Sequence, residues 1–467
     1  MRRHFVALSG GIGVLLGAAL AWPFTVDDSF IVARYAHHLI TGLGYRMNPG
    51  DGPSDGVTGP LWLLPAMVDA WLAKPEVSDL WVSKLVGIVC GCLGAMWSLT
   101  ALARRGRGVV ASRWAALVLV LQPSYWTWIG AGLETAAGSL GLVATAVTRH
   151  PVVASAACGL LCWLRPELVP VAVTLSVLRF WGRTSLYALL PAATLALAVL
   201  LFRYLLFEHV VPLTVVAKPA SLRVGLEYCA RGVLLTTSGV GCLPLFWVWG
   251  RGFRDRCWLA SWLLALLCVV LSGGDWMPGF RLFAPLLPLY AGLVGVGLER
   301  LGRRSSVAAC LLGLGSCALP AMDAVTRVPE LWDSAVARAA VARPLGAALR
   351  ARPGPVALVD VGYLGLVSQQ PVMDLGGLTA PDIGRLPGAH LDKRIDKHVL
   401  AHYNPAQAVL HSQALPRVDA TGRLLYFRGY PVEQRFARIA NVRRNYRVQQ
   451  IFRYTDSYYY IWLVRVD

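Results

Sequence analysis

The chain has 467 residues, of which 56% are hydrophobic and 15% charged, with a mean hydropathy of +0.54. Soluble domains are about one-quarter charged, so this composition excludes disorder and a wholly soluble enzyme. The formal charge of +18, from 44 Lys and Arg against 26 Asp and Glu, would suit nucleic acid only if the arginines lined one soluble face. They fall between apolar runs instead, and no nucleic-acid partner is expected.

The first run long enough to cross a bilayer, about 17–25 residues, is Phe5 to Phe24. Met1-Arg2-Arg3 and Ala19-Leu20-Ala21 also fit a signal peptide, but the many later runs favour a retained span. Those runs are Trp81–Ala103, Trp114–Trp128, Leu133–Thr148, Val152–Leu164, Leu168–Phe180, Leu186–Phe207, Val233–Trp249, Trp258–Leu271, Leu282–Leu298 and Val307–Met322. The ten cysteines lie mostly inside them and read as small packing residues. With the N-terminus in the cytoplasm, one side of the membrane receives Arg104, Arg105, Arg107 and Arg113; Arg149; Arg179 and Arg183; Arg251, Arg254 and Arg256; and Arg300, Arg303 and Arg304. This is the positive-inside pattern. Counting Pro60–Leu72 as a span would invert it, so that segment is expected at the outer surface, with Trp62 and Trp71 at the interface. The expected architecture is a polytopic α-helical membrane protein of about 11 spans, residues 1–322, with an outer loop at 25–80.

Five polar clusters fall at outer ends of these spans: Asp27-Asp28, Gly132-Leu133-Glu134-Thr135, Arg165-Pro166-Glu167, Pro212 to Pro219 with Lys218, and Gly274-Asp275-Trp276-Met277 to Arg281. Their convergence on one boundary predicts a cavity open to the outside. Two adjacent carboxylates repel, which raises one pKa unless a cation is near; such a pair suits general-base work or a divalent metal. Helix capping by Asp27 and Ser29 is the competing reading. In the following helix, Ile31, Tyr35 and Leu39 form one stripe and Asp27, Arg34 and His38 another, as in a helix lying along a membrane surface. Arg34, His37 and His38 then either face phosphate or are solvated. Residues 42–56, rich in Gly and Pro, read as a substrate-lining or lid loop. Pro166 suits the first position of a new helix, which leaves Arg165 at a junction.

After Met322 charge rises and no span-length run follows. Residues 323–467 are expected to form a small α/β domain outside the membrane, with a helix at Ala335–Ala351, strands at Pro355–Val361, Pro371–Leu375 and Ala406–Leu410, and a hairpin at Tyr446–Tyr454 and Tyr458–Val466. Asp360 and Asp374 end strands, where polar groups often meet ligands, but no Gly-rich phosphate loop follows.

Asp27-Asp28-Ser29-Phe30-Ile31 with Arg34-Tyr35, Asn48-Pro49-Gly50 leading into Gly59-Pro60-Leu61-Trp62, Gly132-Leu133-Glu134-Thr135, Arg165-Pro166-Glu167, Gly274-Asp275-Trp276-Met277, Asp360-Val361-Gly362 and Asp374 to Thr379 together resemble bacterial integral-membrane glycosyltransferases of the GT-C superfamily. The nearest group is that of the mycobacterial terminal β-(1→2)-arabinofuranosyltransferases. The resemblance implies sugar transfer from a polyprenyl-phosphate donor to a cell-envelope glycan or glycolipid, at the outer face of the bacterial cytoplasmic membrane. One of Asp27 and Asp28, Asp28 by preference, would be the base in an inverting displacement. Arg34, Arg165, Lys218 and Arg281 would neutralise the donor phosphate, and Glu134, Glu167 and Asp275 would orient sugar, acceptor or those cations. A divalent metal through Asp27 and Asp28 is compatible with this, without an identifiable third ligand. A transporter or lipid flippase is the alternative, but it needs internal repeats and ionisable groups near the bilayer midplane, which the sequence does not display.

Overall fold

The computed structural model describes residues 2–73, 79–104, 108–180, 186–249 and 253–466. Arg105, Arg107, Arg183 and Arg251 of the expected cytoplasmic loops lie outside the described residues. The chain opens with α1 (Arg2–Leu20), α2 (Asp27–Ile40), α3 (Leu63–Leu72), α4 (Trp81–Ala103), α5 (Val109–Val120), α6 (Pro123–Ile129), α7 (Thr135–Val147) and α8 (Pro151–Leu164). It continues with α9 (Val169–Phe180), α10 (Leu190–Phe207), α11 (Leu213–Ala217), α12 (Leu222–Thr237), α13 (Phe246–Trp249), α14 (Phe253–Leu271), α15 (Leu287–Gly302) and α16 (Ser306–Ala337). Among the described residues, three helical segments are long and apolar enough to cross a bilayer alone: Trp81–Ala103, Leu190–Phe207 and Ser306–Ala351. Shorter apolar helices of 10–17 residues accompany them.

Four expectations change in the structure. The expected span at Val233–Trp249 is replaced by α12, which begins earlier and stops at Thr237; Ser238 and Gly239 take positive φ, and the chain turns by 86° into Val240–Val248. The run Trp114–Trp128 is two helices, because Gln122, placed before Pro123, is forced out of the helical region. Trp62 is a buried residue donating from Nε1 to the Gly132 carbonyl, 2.9 Å away, and not an interfacial one, whereas Trp71 is exposed. Helix α2 does not lie half-exposed along a surface: Ser29 through Ala36 are all buried, because the C-terminal domain covers the face that the amphipathic pattern assigned to a cavity.

The domain boundary expected at Met322 falls inside α16. Past its apolar part that helix is carried on by Arg327, which pairs with Asp323 and Glu330 at 3.0 Å each; such spacings support a solvated helix. It leads into α17 (Arg343–Ala351) and then to the sheet. Strands β1 (Val356–Leu358), β2 (Val372–Asp374) and β3 (Gln407–Ser412) are parallel in the order β2-β1-β3, with α18 (Tyr363–Ser368) crossing from β1 to β2. After the short pair β4 (Arg417–Val418) and β5 (Leu424–Tyr426), the hairpin β6 (Tyr446–Thr455) and β7 (Tyr458–Arg465) adds to β3 antiparallel. Residues such as Ala357, Met373, Leu410, Phe436 and Ile461 give this unit a core of its own. A second core runs without a break from the helical bundle into β1 and α18.

The arginine-rich connections meet at one end, where Gly108, Asp255, Arg300, Arg303 and Arg304 line a common hollow and Arg300 pairs with Asp255. Helix α15 separates that end from the loop carrying Arg281; sixteen residues span about 24 Å at 1.5 Å per residue.

Within the bundle, Arg203 of α10 pairs with Asp55 and donates to the Thr58 carbonyl at 2.7 Å, with both side chains almost fully enclosed. Removing one partner of such a pair costs about 3–5 kcal/mol, because the other charge stays buried. R203A should therefore lower the melting temperature of the detergent-solubilised protein by several degrees, and R203M/D55L should recover most of it; an unchanged melting temperature in R203A would show the pair to be dispensable.

Candidate active site

Helix α2 starts directly after the chain leaves α1. Its N-cap is Val26, and neither Asp27 nor Ser29 caps it: Ser29 Oγ donates back to the Val26 carbonyl at 2.6 Å. The Asp27 carboxylate instead crosses to the C-terminal domain, accepting from the backbone N–H of Gly362 (3.0 Å) and of Tyr363 (2.9 Å) at the start of α18. A side chain at Gly362 would collide with the Asp27 backbone, which explains a glycine there. Burial is the main force on Asp27, raising its pKa to about 7; the Asp360 and Asp28 charges push the same way, and the two N–H donors only partly offset them.

Asp28 faces a different space. It lines a cavity of about 320 Å³ together with Glu134, Arg165, Glu167, Lys218 and Arg281. Among the sequence candidates, the structure thus gathers these six in one hollow. Backbone geometry places each of them. Arg165 ends α8 outside the helical region, with Pro166 starting the next turn, and lies across α7 at Gly138, where a Cβ would stand 2.7 Å from its side chain. Its guanidinium bridges Glu134 (3.2 Å) and Glu167 (2.5 Å). Lys218 follows α11 and has no ion-pair partner among the described residues. Arg281 follows a loop in which Gly273, Gly274, Gly279 and Phe280 all take positive φ. It contacts Asp275 at 2.7 Å and Asp28 at 3.5 Å, and lies over the Trp128 ring. Burial alone would weaken its hold on the proton, but Asp275, Asp28 and Glu134 outweigh burial and raise its pKa. Asp275 stands behind Arg281, so it touches the site through that arginine.

Arg34 is elsewhere. Its guanidinium donates to the carbonyls of Met47 (2.9 Å), Gln370 (2.8 Å) and Gly365, so it ties α2 to the following loop and to α18 and is not a phosphate ligand. His38 is likewise buried, within 2.8 Å of the Arg46 carbonyl from its Nδ1. The 42–56 loop is anchored as well, since Asn48 exchanges two hydrogen bonds with the Val372 backbone (2.8 and 2.9 Å). It meets the cavity at Gly56. The aspartate pair does not fit a divalent metal. Both oxygens of Asp27 are taken by backbone N–H groups, one oxygen of Asp28 faces Arg281, and no group of three His, Cys, Asp or Glu side chains among the described residues is arranged to hold an ion.

A second polar hollow, large enough for a water molecule, adjoins the first at Asp28 and Ile31 and reaches Asp27, Asp360, His390 and Tyr430. Behind it lies a cluster that the sequence did not reveal. His411 of β3 is enclosed, with Nε2 at 2.8 Å from Asp360 and Nδ1 at 2.6 Å from Glu433, while Tyr460 donates to Asp360 at 3.1 Å. Burial opposes a charge on His411, but the two carboxylates dominate and raise its pKa; burial opposes ionisation of Asp360 too, and His411 with Tyr460 overcomes it and lowers that pKa. Asp360 was marked by its place at a strand end. Nothing local singles out His411 within apolar residues or Glu433 at the start of a helix.

Residues 330–462 match a family described as Domain of unknown function (DUF8728). No curated protein matches the sequence. In three dimensions, 79% of the chain aligns with 85% of ArnT from Cupriavidus metallidurans bound to undecaprenyl phosphate, at a TM-score of 0.56 and 15% identity. The apo state of the same protein aligns over 78% of this chain and 84% of that one, with a TM-score of 0.55 and 16% identity. The chain shares its fold with ArnT.

The pH dependence of the His411 cluster follows from its sign. A histidine whose folded pKa is raised contributes its full stabilisation below its unfolded value of about 6.5 and loses it only as pH rises through the folded value. H411Q should therefore lower the melting temperature throughout pH 6–8, by about 3–5 kcal/mol of stability, whereas the wild-type cluster holds across that range. Equal melting temperatures at pH 6 would show that the ion pairs contribute nothing.

Proposed function

We propose that the protein is a membrane glycosyltransferase of GT-C type that transfers a sugar from a polyprenyl-phosphate carrier to a hydroxyl of a cell-envelope glycan or glycolipid. The observation carrying this reading is the cavity in which one carboxylate free of backbone hydrogen bonds, Asp28, stands among Lys218, Arg165 and Arg281. The undecaprenyl phosphate bound to ArnT supports a lipid-phosphate donor. The cavity wall carries three carboxylates and three cations, which suits a ligand bearing both a phosphate and sugar hydroxyls better than a bare anion. We further propose that the cavity and the sheet domain that follows α17 lie outside the bacterial cytoplasmic membrane. The arginine-rich end remote from the cavity supports that orientation. Arabinofuranose is the sugar proposed, from the motif resemblance.

In this mechanism Asp28 takes the proton of the acceptor hydroxyl as its oxygen attacks the anomeric carbon. The carbon–oxygen bond to phosphate breaks on the opposite face, with inversion, and the electron pair leaves on the phosphate. That developing charge is the larger electrostatic task. Lys218, not already neutralised, is proposed as its principal partner, while Arg165 and Arg281 are held in place by Glu134, Glu167 and Asp275. Asp27 holds the C-terminal domain against the site and stabilises the position of its neighbour.

General bases typically contribute about 10²–10⁴-fold. In membranes supplied with a polyprenyl-phosphoryl sugar, D28N should reduce transfer by at least about 10²-fold with intact expression. D27N should reduce it too, with a loss of thermal stability that D28N does not show. Transfer at the wild-type rate by D28N removes this mechanism.

A charge-assisted hydrogen bond contributes about 1.5–3 kcal/mol. K218A should thus lower kcat/KM for the donor by about 10–100-fold, and K218R should restore part of it. An unaltered kcat/KM would place the phosphate elsewhere.

A further inference from the structure

A second charged cavity lies outside the site just described. It encloses about 250 Å³ where α1 ends and α4 begins, and Lys84, Arg338, Arg343, Asp79, Trp22 and Thr25 are in its wall. Three basic side chains face one carboxylate there. Lys84 is 2% exposed; its Nζ donates to the Trp22 carbonyl and, at 3.2 Å, to Thr25 Oγ1. The ammonium also lies over the Trp22 ring, 4.7 Å from its centroid. Arg338 is fixed by the carbonyls of Thr25 (2.9 Å) and Pro23 (3.1 Å). Arg343, exposed at the rim, lines the cavity together with Tyr363.

The surroundings give the depth of this cavity. Trp22 and Trp81 pack edge to face at 5.6 Å, and Trp81 and Trp332 are exposed, as aromatic residues are at a membrane–water boundary. Directly along α4 from Lys84, Leu85, Val89 and Leu93 are exposed at four-residue spacing, and Ile12, Leu16 and Leu20 repeat the pattern on α1. Two apolar helix faces thus run away from one cluster of cations. That is the outline of a molecule with a phosphate at one end and two hydrocarbon chains.

We propose that this cavity binds the head-group phosphate of an anionic bilayer phospholipid, with Lys84, Arg338 and Arg343 around the phosphate and the acyl chains along α1 and α4. The site meets the candidate active site at Tyr363, which lines this cavity and donates its backbone N–H to Asp27.

Native mass spectrometry and thermal melting in detergent test the assignment. After delipidation and addition of phosphatidylglycerol, the wild type should retain one lipid and melt higher than with phosphatidylcholine. R343E, a change at an exposed side chain, and K84M should each need at least tenfold more phosphatidylglycerol for the same shift. The melting temperature without lipid shows whether either variant is misfolded, and R343E decides if K84M is. Retention by R343E equal to the wild type overturns the proposal, as does a wild type that retains no lipid. Displacement of phosphatidylglycerol by equimolar polyprenyl phosphate would assign the cavity to the donor lipid instead, and an equal shift from inorganic phosphate alone would reduce it to a simple anion site; both overturn the proposal.

Discussion

The Asp27 carboxylate, held between the exit of the first helix and the start of α18, is the contact on which the arrangement of the site rests. It accepts two backbone N–H groups from the C-terminal domain, and those donors also sit where a short helix presents positive partial charge. Against this stand burial and the neighbouring Asp360 and Asp28 charges, which leave its pKa near 7. A carboxyl with a raised pKa binds its proton more tightly in the folded chain, so it takes stability from the fold as pH rises from the ordinary carboxylate range to about 7. The fold accepts that cost, and Arg34, Asn48 and Phe30 share the work of holding the domains together. Phe30 packs edge to face on Tyr363 with ring centroids 5.0 Å apart, while Arg34 and Asn48 bond the backbone of α18, of the following turn and of β2.

One result is that the C-terminal domain forms part of the wall of the candidate site. Leu378 reaches both hollows, and Asp360 faces Asp27. The His411 cluster behind Asp360 keeps a second carboxylate charged beside Asp27, which biases the proton toward Asp27. Two adjacent aspartates are thereby made unlike. Both are half-buried, but Asp27 is bound to backbone N–H groups, while Asp28 opens on the cavity with an arginine at 3.5 Å.

Much of this was legible in the sequence, for identifiable reasons. Polar clusters interrupting apolar runs are costly unless they face protein or water, so their positions carried information, and five of them pointed to one cavity. The runs also located most helices. Where they failed, a local backbone preference had overruled hydropathy: Pro123 divided one run, and Ser238-Gly239 with its left-handed turn redirected another. Arg34 was misread because amphipathic spacing gives the face of a helix but not what covers it. Its face belongs to α18, more than 300 residues away. His411 and Glu433 were hidden for a related reason: they are 22 residues apart, and their pairing is made only by strand order and by the helix that follows β5.

The treatment of charge explains why a mostly apolar chain can carry so many arginines near its candidate chemistry. Arg165 and Arg281 are each clamped by carboxylates, and Arg203 by Asp55. A clamped guanidinium has a fixed direction and little net charge to offer, so it can shape a pocket without trapping every anion. Lys218 differs in having no such clamp among the described residues. A leaving phosphate gains charge as the reaction proceeds, and an uncommitted cation gains most from that change. The division between fixed arginines and a free lysine therefore suits the proposed transfer, in which a lipid phosphate is bound loosely before the reaction and more strongly during it.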